Sequence, residues 1–237
     1  FADFAILYDA FGDPINPPTQ KNAPLPIAIE HEAGLRRPEA ISAADPGGML
    51  INYANEPIPL RIAVKEGGTW KLRDGERGRM HNVFRSDLHG DPFTPLMRAY
   101  EGDRVRINLI QGAQEEQHVF TVHGQRWSNE VGEIAWGYSN AQPIGISEHV
   151  EFLLEEGLAT VSDPFGAVDY LYQSAPTDDL WNGMWGILRA YGGPQPDLLP
   201  LPNNEPGGDV QQLHPCPLGA PMRRYTVHAI AARGNLP

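Results

Sequence analysis

From Thr94 to Tyr191 the chain runs through five short segments of alternating or apolar residues, each bounded by turn-forming residues and none long enough for an ordinary helix. Arg104 to Leu109 alternates polar and apolar, the period of a half-buried strand. His118 to Trp127 follows, with Phe120 and Val122 on one face and Val119, Thr121 and His123 on the other. His149–Leu154, Val168–Tyr172 and Met184–Tyr191 complete the series. The 25 glycines and 23 prolines make up about a fifth of the 237 residues, which favours tight connections over helices. Short strands at this spacing predict an all-β Greek-key sandwich.

Upstream the pattern loosens. Phe1 to Asp9 reads as a strand, and residues 12–26 carry five prolines, so they predict an extended irregular connection. Residues 30–35 fit a short helix. Met49–Tyr53 and Pro57–Val64 read as strands, the second held to an edge by Pro57 and Pro59, and residues 74–93 read as a long loop. Residues 192–223 hold eight prolines and read as a linker. Arg224 to Ala232 alternates again, with nothing after it to pair. The expected organisation is one domain over 1–192, with its core at about 94–191, a Pro-rich linker over 193–223, and the start of a further domain over 224–237. Both ends read as internal to a longer polypeptide.

The formal net charge of −12 argues against nucleic acid or an anionic membrane surface as partner, since phosphates call for clustered Lys and Arg. It is compatible with attraction of metal cations or basic partners, and equally with plain solubility. Cys216 is the single cysteine, so no internal disulfide can form. No run of about twenty apolar residues is present, so no membrane insertion is expected. Gly-Gly pairs at 47, 67, 192 and 207 lack a following Lys or helix start, and Ser147 lacks a nucleophile-elbow context, so phosphate-loop and hydrolase readings fall away.

Two segments carry chemistry. The first is His118-Val-Phe-Thr-Val-His-Gly124, and the second runs Asp169-Tyr-Leu-Tyr-Gln-Ser-Ala-Pro-Thr-Asp-Asp-Leu-Trp-Asn-Gly-Met-Trp-Gly-Ile-Leu188. Together with the lead-in at Arg98–Leu109 and Ile144–Phe152, they resemble the multicopper oxidase family, in particular its large, bacterial, manganese-oxidase-like members. In that family the first segment reads His-x-x-His-x-His-Gly. The second carries a His-Cys-His tripeptide, a further His four residues on, and an axial Met five residues after that. With Met184 in the axial slot, Ser174 stands where the Cys belongs, Gln173 and Ala175 where its flanking histidines belong, and Asp179 at the further His. Thr121 replaces the middle His of the first segment.

The resemblance implies a cupredoxin-like Greek-key sandwich with a long irregular N-terminal elaboration. It implies a parent enzyme that oxidises a metal ion or organic reductant at a blue copper and reduces dioxygen at a trinuclear cluster. The ligand positions that survive are His118, His123 and Met184. A blue-copper centre needs a thiolate, which Ser174 cannot supply, so copper is expected in neighbouring domains of the parent. No catalytic or cofactor-binding residue is expected in the segment itself. The implied partners are other cupredoxin domains of the same parent, and the implied location is extracytoplasmic. The rival reading is a copper-free structural or interaction module without oxidase activity.

Each candidate has a plainer alternative. His118 and His123 stand five apart on a strand and face opposite ways, so they do not chelate one ion together. His118 is then a core histidine, or a ligand with Met184. His123 is a ligand only if another domain completes the cluster. Trp181 and Trp185 are expected to cap the sandwich end and fill the metal's place. Asp178-Asp179 reads as solvated loop charge, with a hard-cation site as the alternative. The loop His81–Asp91 has two His and two Asp, but in no recognised metal spacing. Glu115-Glu116 and Glu148–Glu151 read as loop and strand-face charges.

Overall fold

The computed structural model describes residue 29 and residues 32–35, 49–112, 117–128, 137–154, 158 and 166–207. The expected strand at the N-terminus, the alternating segment 224–232, Cys216 and the pair Glu115-Glu116 lie outside them.

The strands are β1 (Ala63–Glu66), β2 (Thr69–Leu72), β3 (Met97–Tyr100), β4 (Arg106–Ile110), β5 (His118–Val122), β6 (Trp127–Ser128), β7 (Tyr138–Ser139), β8 (Ala141–Ile144), β9 (His149–Leu153), β10 (Ala167–Ser174) and β11 (Trp185–Tyr191). Single-turn helices among the described residues include α1 (Ile58–Ile62), α2 (Ser86–His89) and α3 (Thr177–Trp181). One layer is a five-stranded sheet in the order β3-β11-β10-β5-β8, in which β3 runs parallel to β11 and the other neighbours are antiparallel. The second layer pairs β4 with β9, and a bridge from Leu154 to Trp127 adds the short β6–β7 pair. The chain crosses between layers after β3, β4, β5, β7, β8 and β9. This is the all-β Greek-key sandwich that the strand pattern predicts.

Alternation decides which residues fill the space between layers. Phe120 and Val122 of β5, Tyr172 of β10, and Leu188 and Ala190 of β11 meet Ile107, Leu109, Phe152, Leu154 and Trp127 from the second layer. Trp127 stacks on Phe152 at 4.5 Å between ring centroids, and Phe120 sits 5.4 Å from Phe152. Each fully buried side chain of this size contributes roughly 1.5–3 kcal/mol.

The outer face of β11 is buried as well. Trp185 and Ile187 pack with Ile58 and Ile62 of α1, Val83 and Trp181 in a second apolar cluster. Two residues further along the same face, Arg189 bridges Asp169 of β10 and Asp91, with contacts of 2.6 Å to each. The segment 55–93 is therefore a cover clamped over the outside of the sheet.

That cover departs from expectation at Pro57–Val64. The segment forms helix α1 and only then enters strand β1. Proline lacks an N–H, and the first turn of a helix leaves those donors unused, so Pro57 and Pro59 suit a helix start as well as a sheet edge. Residues 74–93, read as loop, contain two 3₁₀ turns (Gly75–Gly78 and Met80–Asn82) and α2. Met49–Tyr53 is a tight turn in which Ile51 and Ala54 exchange backbone hydrogen bonds of 2.8 and 3.0 Å, with Asn52 and Tyr53 at positive φ.

Past β11 the chain folds back. The Tyr100 hydroxyl donates to Leu198 O at 2.6 Å and accepts from Gln195 N at 3.0 Å. Asn204 Nδ2 bonds Asp103 Oδ1 at 2.6 Å, and Arg98 grips Asp197 with two 2.7 Å contacts. Residues 195–204, the first part of the Pro-rich stretch, are thus tied to β3 and the turn after it.

Candidate site at the closed end of the sandwich

The parity that buries Phe120 also points His118 inward, at the end of β5. Across the β5–β10 pairing, Phe120 stands opposite Ser174, so Ser174 shares that inner face. The chain then turns through α3 and returns as β11. Two backbone bonds close this loop: Met184 N donates to Asp179 O at 2.9 Å, and Ser174 N donates to Met184 O at 3.0 Å. Gly183 makes the return possible. Its φ is +107°, and a Cβ there would lie 2.7 Å from the backbone of Glu56 and Pro57.

Three polar side chains converge inside the closed loop. His118 Nδ1 lies 2.8 Å from Asp179 Oδ2. The Ser174 hydroxyl donates to the same carboxylate oxygen in a very short contact, and accepts from Val119 N at 3.1 Å. His118, Ser174 and Asp179 are each 0 % exposed. Asp179 Oδ1 has no hydrogen-bond partner among the described residues. Met184, also 0 % exposed, packs into the main core cluster beside them.

The structure thus brings together His118, Ser174 and Asp179, and ties Met184 to the last two through the backbone. It leaves His123 elsewhere. His123 lies just past β5 and is exposed, and its backbone N–H donates to Leu171 O at 2.8 Å. Thr121 is held by a 2.8 Å hydrogen bond from its hydroxyl to Asn140 O.

Two expectations are corrected here. Asp179 is no solvated loop charge but the centre of a buried cluster, because α3 turns it under the sheet end. Trp181 and Trp185 do not fill the metal's place. They sit on the outer face with α1, where Trp185 Nε1 donates to Glu56 O at 2.8 Å. The carboxylate, hydroxyl and imidazole occupy the inner space instead. The signal for this was parity: Trp185 and Gly186 fall on opposite faces of β11, and Gly186 is the one that looks inward, against Tyr172.

A Ser, a His and an Asp in contact do not make a nucleophilic triad here. In such a triad the histidine stands between serine and aspartate and takes the serine's proton. Here the aspartate stands between the other two, and none of them meets solvent. The arrangement is a buried polar cross-link between β5, β10 and α3. The other charged candidates also resolve separately. His81 is exposed, 3.9 Å from Glu76. Glu148 Oε2 accepts from Gly145 N at 2.7 Å, and Glu151 pairs with Arg106 at 3.3 Å. No group of three or more His, Cys, Asp or Glu is placed to hold a metal among the described residues.

No protein-family model and no curated protein matches the chain. Solved structures overlap it in part. A multicopper oxidase from Aquifex aeolicus overlaps 40 % of this chain and 21 % of its own, at 16 % identity and a TM-score of 0.34. A laccase from Botrytis aclada overlaps 52 % of this chain and 22 % of its own, at 18 % identity and 0.33. A copper nitrite reductase from Nitrosomonas europaea overlaps 44 % and 35 %, at 15 % identity and 0.34. The chain spans about a fifth of the length of the first of these. At such scores no residue correspondence follows from the overlap.

Proposed function

We propose that this chain is a cupredoxin domain of a larger multicopper oxidase, and that a buried hydrogen-bonded cluster replaces its type 1 copper. The carrying observation is the cluster itself. The sequence frame assigns His118, Ser174 and Asp179 to three ligand slots of the family, and these three side chains meet inside one closed loop. Such a coincidence is expected if the frame is right and has no reason to occur if it is wrong.

The residues present do not fit a blue-copper ion. The site offers a hydroxyl where the thiolate belongs, and soft thiolate donation is what such a site requires. The imidazole nitrogen that faces the cluster, His118 Nδ1, is taken by Asp179. A hydroxyl, a carboxylate and an imidazole bound to one another hold the strand ends together as a metal would, without redox chemistry. On this reading the oxidation of a metal ion or organic reductant belongs to sister domains. The segment's part is structural, and exposed His123 stands ready to complete a cluster at a domain boundary. The boundary falls in the Pro-rich stretch, a further domain begins near Arg224, and the location is extracytoplasmic.

The test restores what is missing. Copper-loaded protein should show no intense charge-transfer band in the visible. The double variant Ser174→Cys, Asp179→His should gain one, since it returns a thiolate and a second imidazole to the slots. A folded double variant that binds copper without a blue band would overturn the assignment of the slots. Metal analysis of the full-length parent, with several coppers expected per chain, separates an oxidase from a copper-free module.

A further inference from the structure

Six of the chain's 18 lysines and arginines lie between Arg61 and Arg79, in a protein with a net charge of −12. Folding of the cover gathers four of them around one cavity of about 340 Å³, between α1, the β1–β2 hairpin and α2. Arg61, Lys65, Arg73 and Arg77 line it together with His89. Among the described residues that line it, Glu56 is the one carboxylate, and it is already engaged, by Phe93 N at 2.7 Å and Arg61 Nη1 at 3.3 Å.

The donors at this cavity are not used up. Arg61 is only 2 % exposed, its guanidinium lies over the Trp185 ring at 5.0 Å, and its Nη2 donates to Gly90 O at 2.6 Å. Its Nε and Nη1 make no hydrogen bond, although Nη1 faces the Glu56 carboxylate. Arg73 Nε is likewise buried without a hydrogen-bond partner among the described residues. Buried donors in this state cost stability unless an acceptor arrives. Burial first, then the positive charges of Arg61, Arg73 and Arg77, hold the His89 imidazole below its ordinary value of 6.5. Leu60, Val64, Trp70 and Phe93 supply apolar wall.

We propose that this cavity binds a small organic anion, with a carboxylate or phosphate head against Arg61, Arg73 and Arg77 and a compact apolar or aromatic body against Trp70 and Phe93. Guanidinium groups present paired N–H donors that match both oxyanions. The volume, at the low end for ligand cavities, suits one ring with its head group. The site is distinct from the cluster at His118 and does not depend on the copper reading.

Calorimetric titration of the intact protein with phenyl phosphate, benzoate and inorganic phosphate tests it. Phenyl phosphate or benzoate should bind at one site and more tightly than inorganic phosphate, and raising the salt concentration should weaken it. The double variant Arg73→Gln, Arg77→Gln alters side chains outside the apolar clusters and should fold; it should weaken binding about tenfold or more. Ligand should also raise the midpoint of His89 in an NMR titration, because a nearby anion favours the imidazolium. Absence of binding to all three probes, or equal binding by the double variant, or an unmoved His89 midpoint on saturation, would overturn the proposal.

Discussion

At the scale of single residues, Asp179 holds the most consequence. One carboxylate oxygen receives both the Ser174 hydroxyl and the His118 ring, with no water-facing route for any of the three. Replacing it by Ala strands two buried polar groups, and removing one partner of a buried pair costs about 3–5 kcal/mol. Urea unfolding of Asp179→Ala should show a loss of that size, and Asp179→Asn a smaller one, since the amide keeps the shape and one acceptor. Equal stability of Asp179→Ala and the parent protein would mean that the cluster is not holding the loop. Ser174→Ala should fall between, because it leaves the His118–Asp179 contact in place.

At the scale of elements, β11 joins the sandwich to its cover. Its inner residues Leu188 and Ala190 belong to the sandwich core, while its outer row Trp185, Ile187 and Arg189 holds the cover. Phe84 meets Trp185 edge-on at 4.9 Å, and the Arg61 guanidinium lies against the same indole. Removing that ring should release the cover more than the sheet. Trp185→Ala is expected to cost about 3–5 kcal/mol in total. Hydrogen exchange should rise first in residues 58–93, with β4 and β9 protected. Uniform loss of protection would show that cover and sandwich form one cooperative unit.

At the scale of the whole molecule, the tail after β11 is part of the body as far as it is described. Residues 195–204 lie along β3 through the Tyr100 hydroxyl, Asp197 and Asn204. The Arg98–Asp197 pair is largely solvent-exposed and adds little. The partly buried Tyr100 and Asn204 bonds matter more, at about 1 kcal/mol each. A chain ending after Tyr191 should therefore be less stable than one ending after Gly207, by about 1–3 kcal/mol in a denaturant titration. Equal stability would place the domain boundary directly after β11.

Much of this could be read directly from the residues. Alternation in Arg104–Leu109 and His118–Val122 fixes which side chains turn inward, because successive strand residues point to opposite faces. The resemblance read from the sequence implies one frame for His118, Ser174, Asp179 and Met184 before any contact is known. What alternation cannot supply is the partner of a side chain. Asp178-Asp179 looks the same in sequence whether solvated or buried, and only the turn of α3 under the sheet end decides it for Asp179. Pro57 and Pro59 fit a helix start and a sheet edge equally well, since each lacks only the N–H that both positions leave unused. The cavity at Arg61 was hidden for a third reason. Its cations are spread over helix, hairpin and turns, and like charges so placed in a sequence read as ordinary surface. Their convergence is a property of the folded cover, set by Trp185 and Arg189 from more than a hundred residues away.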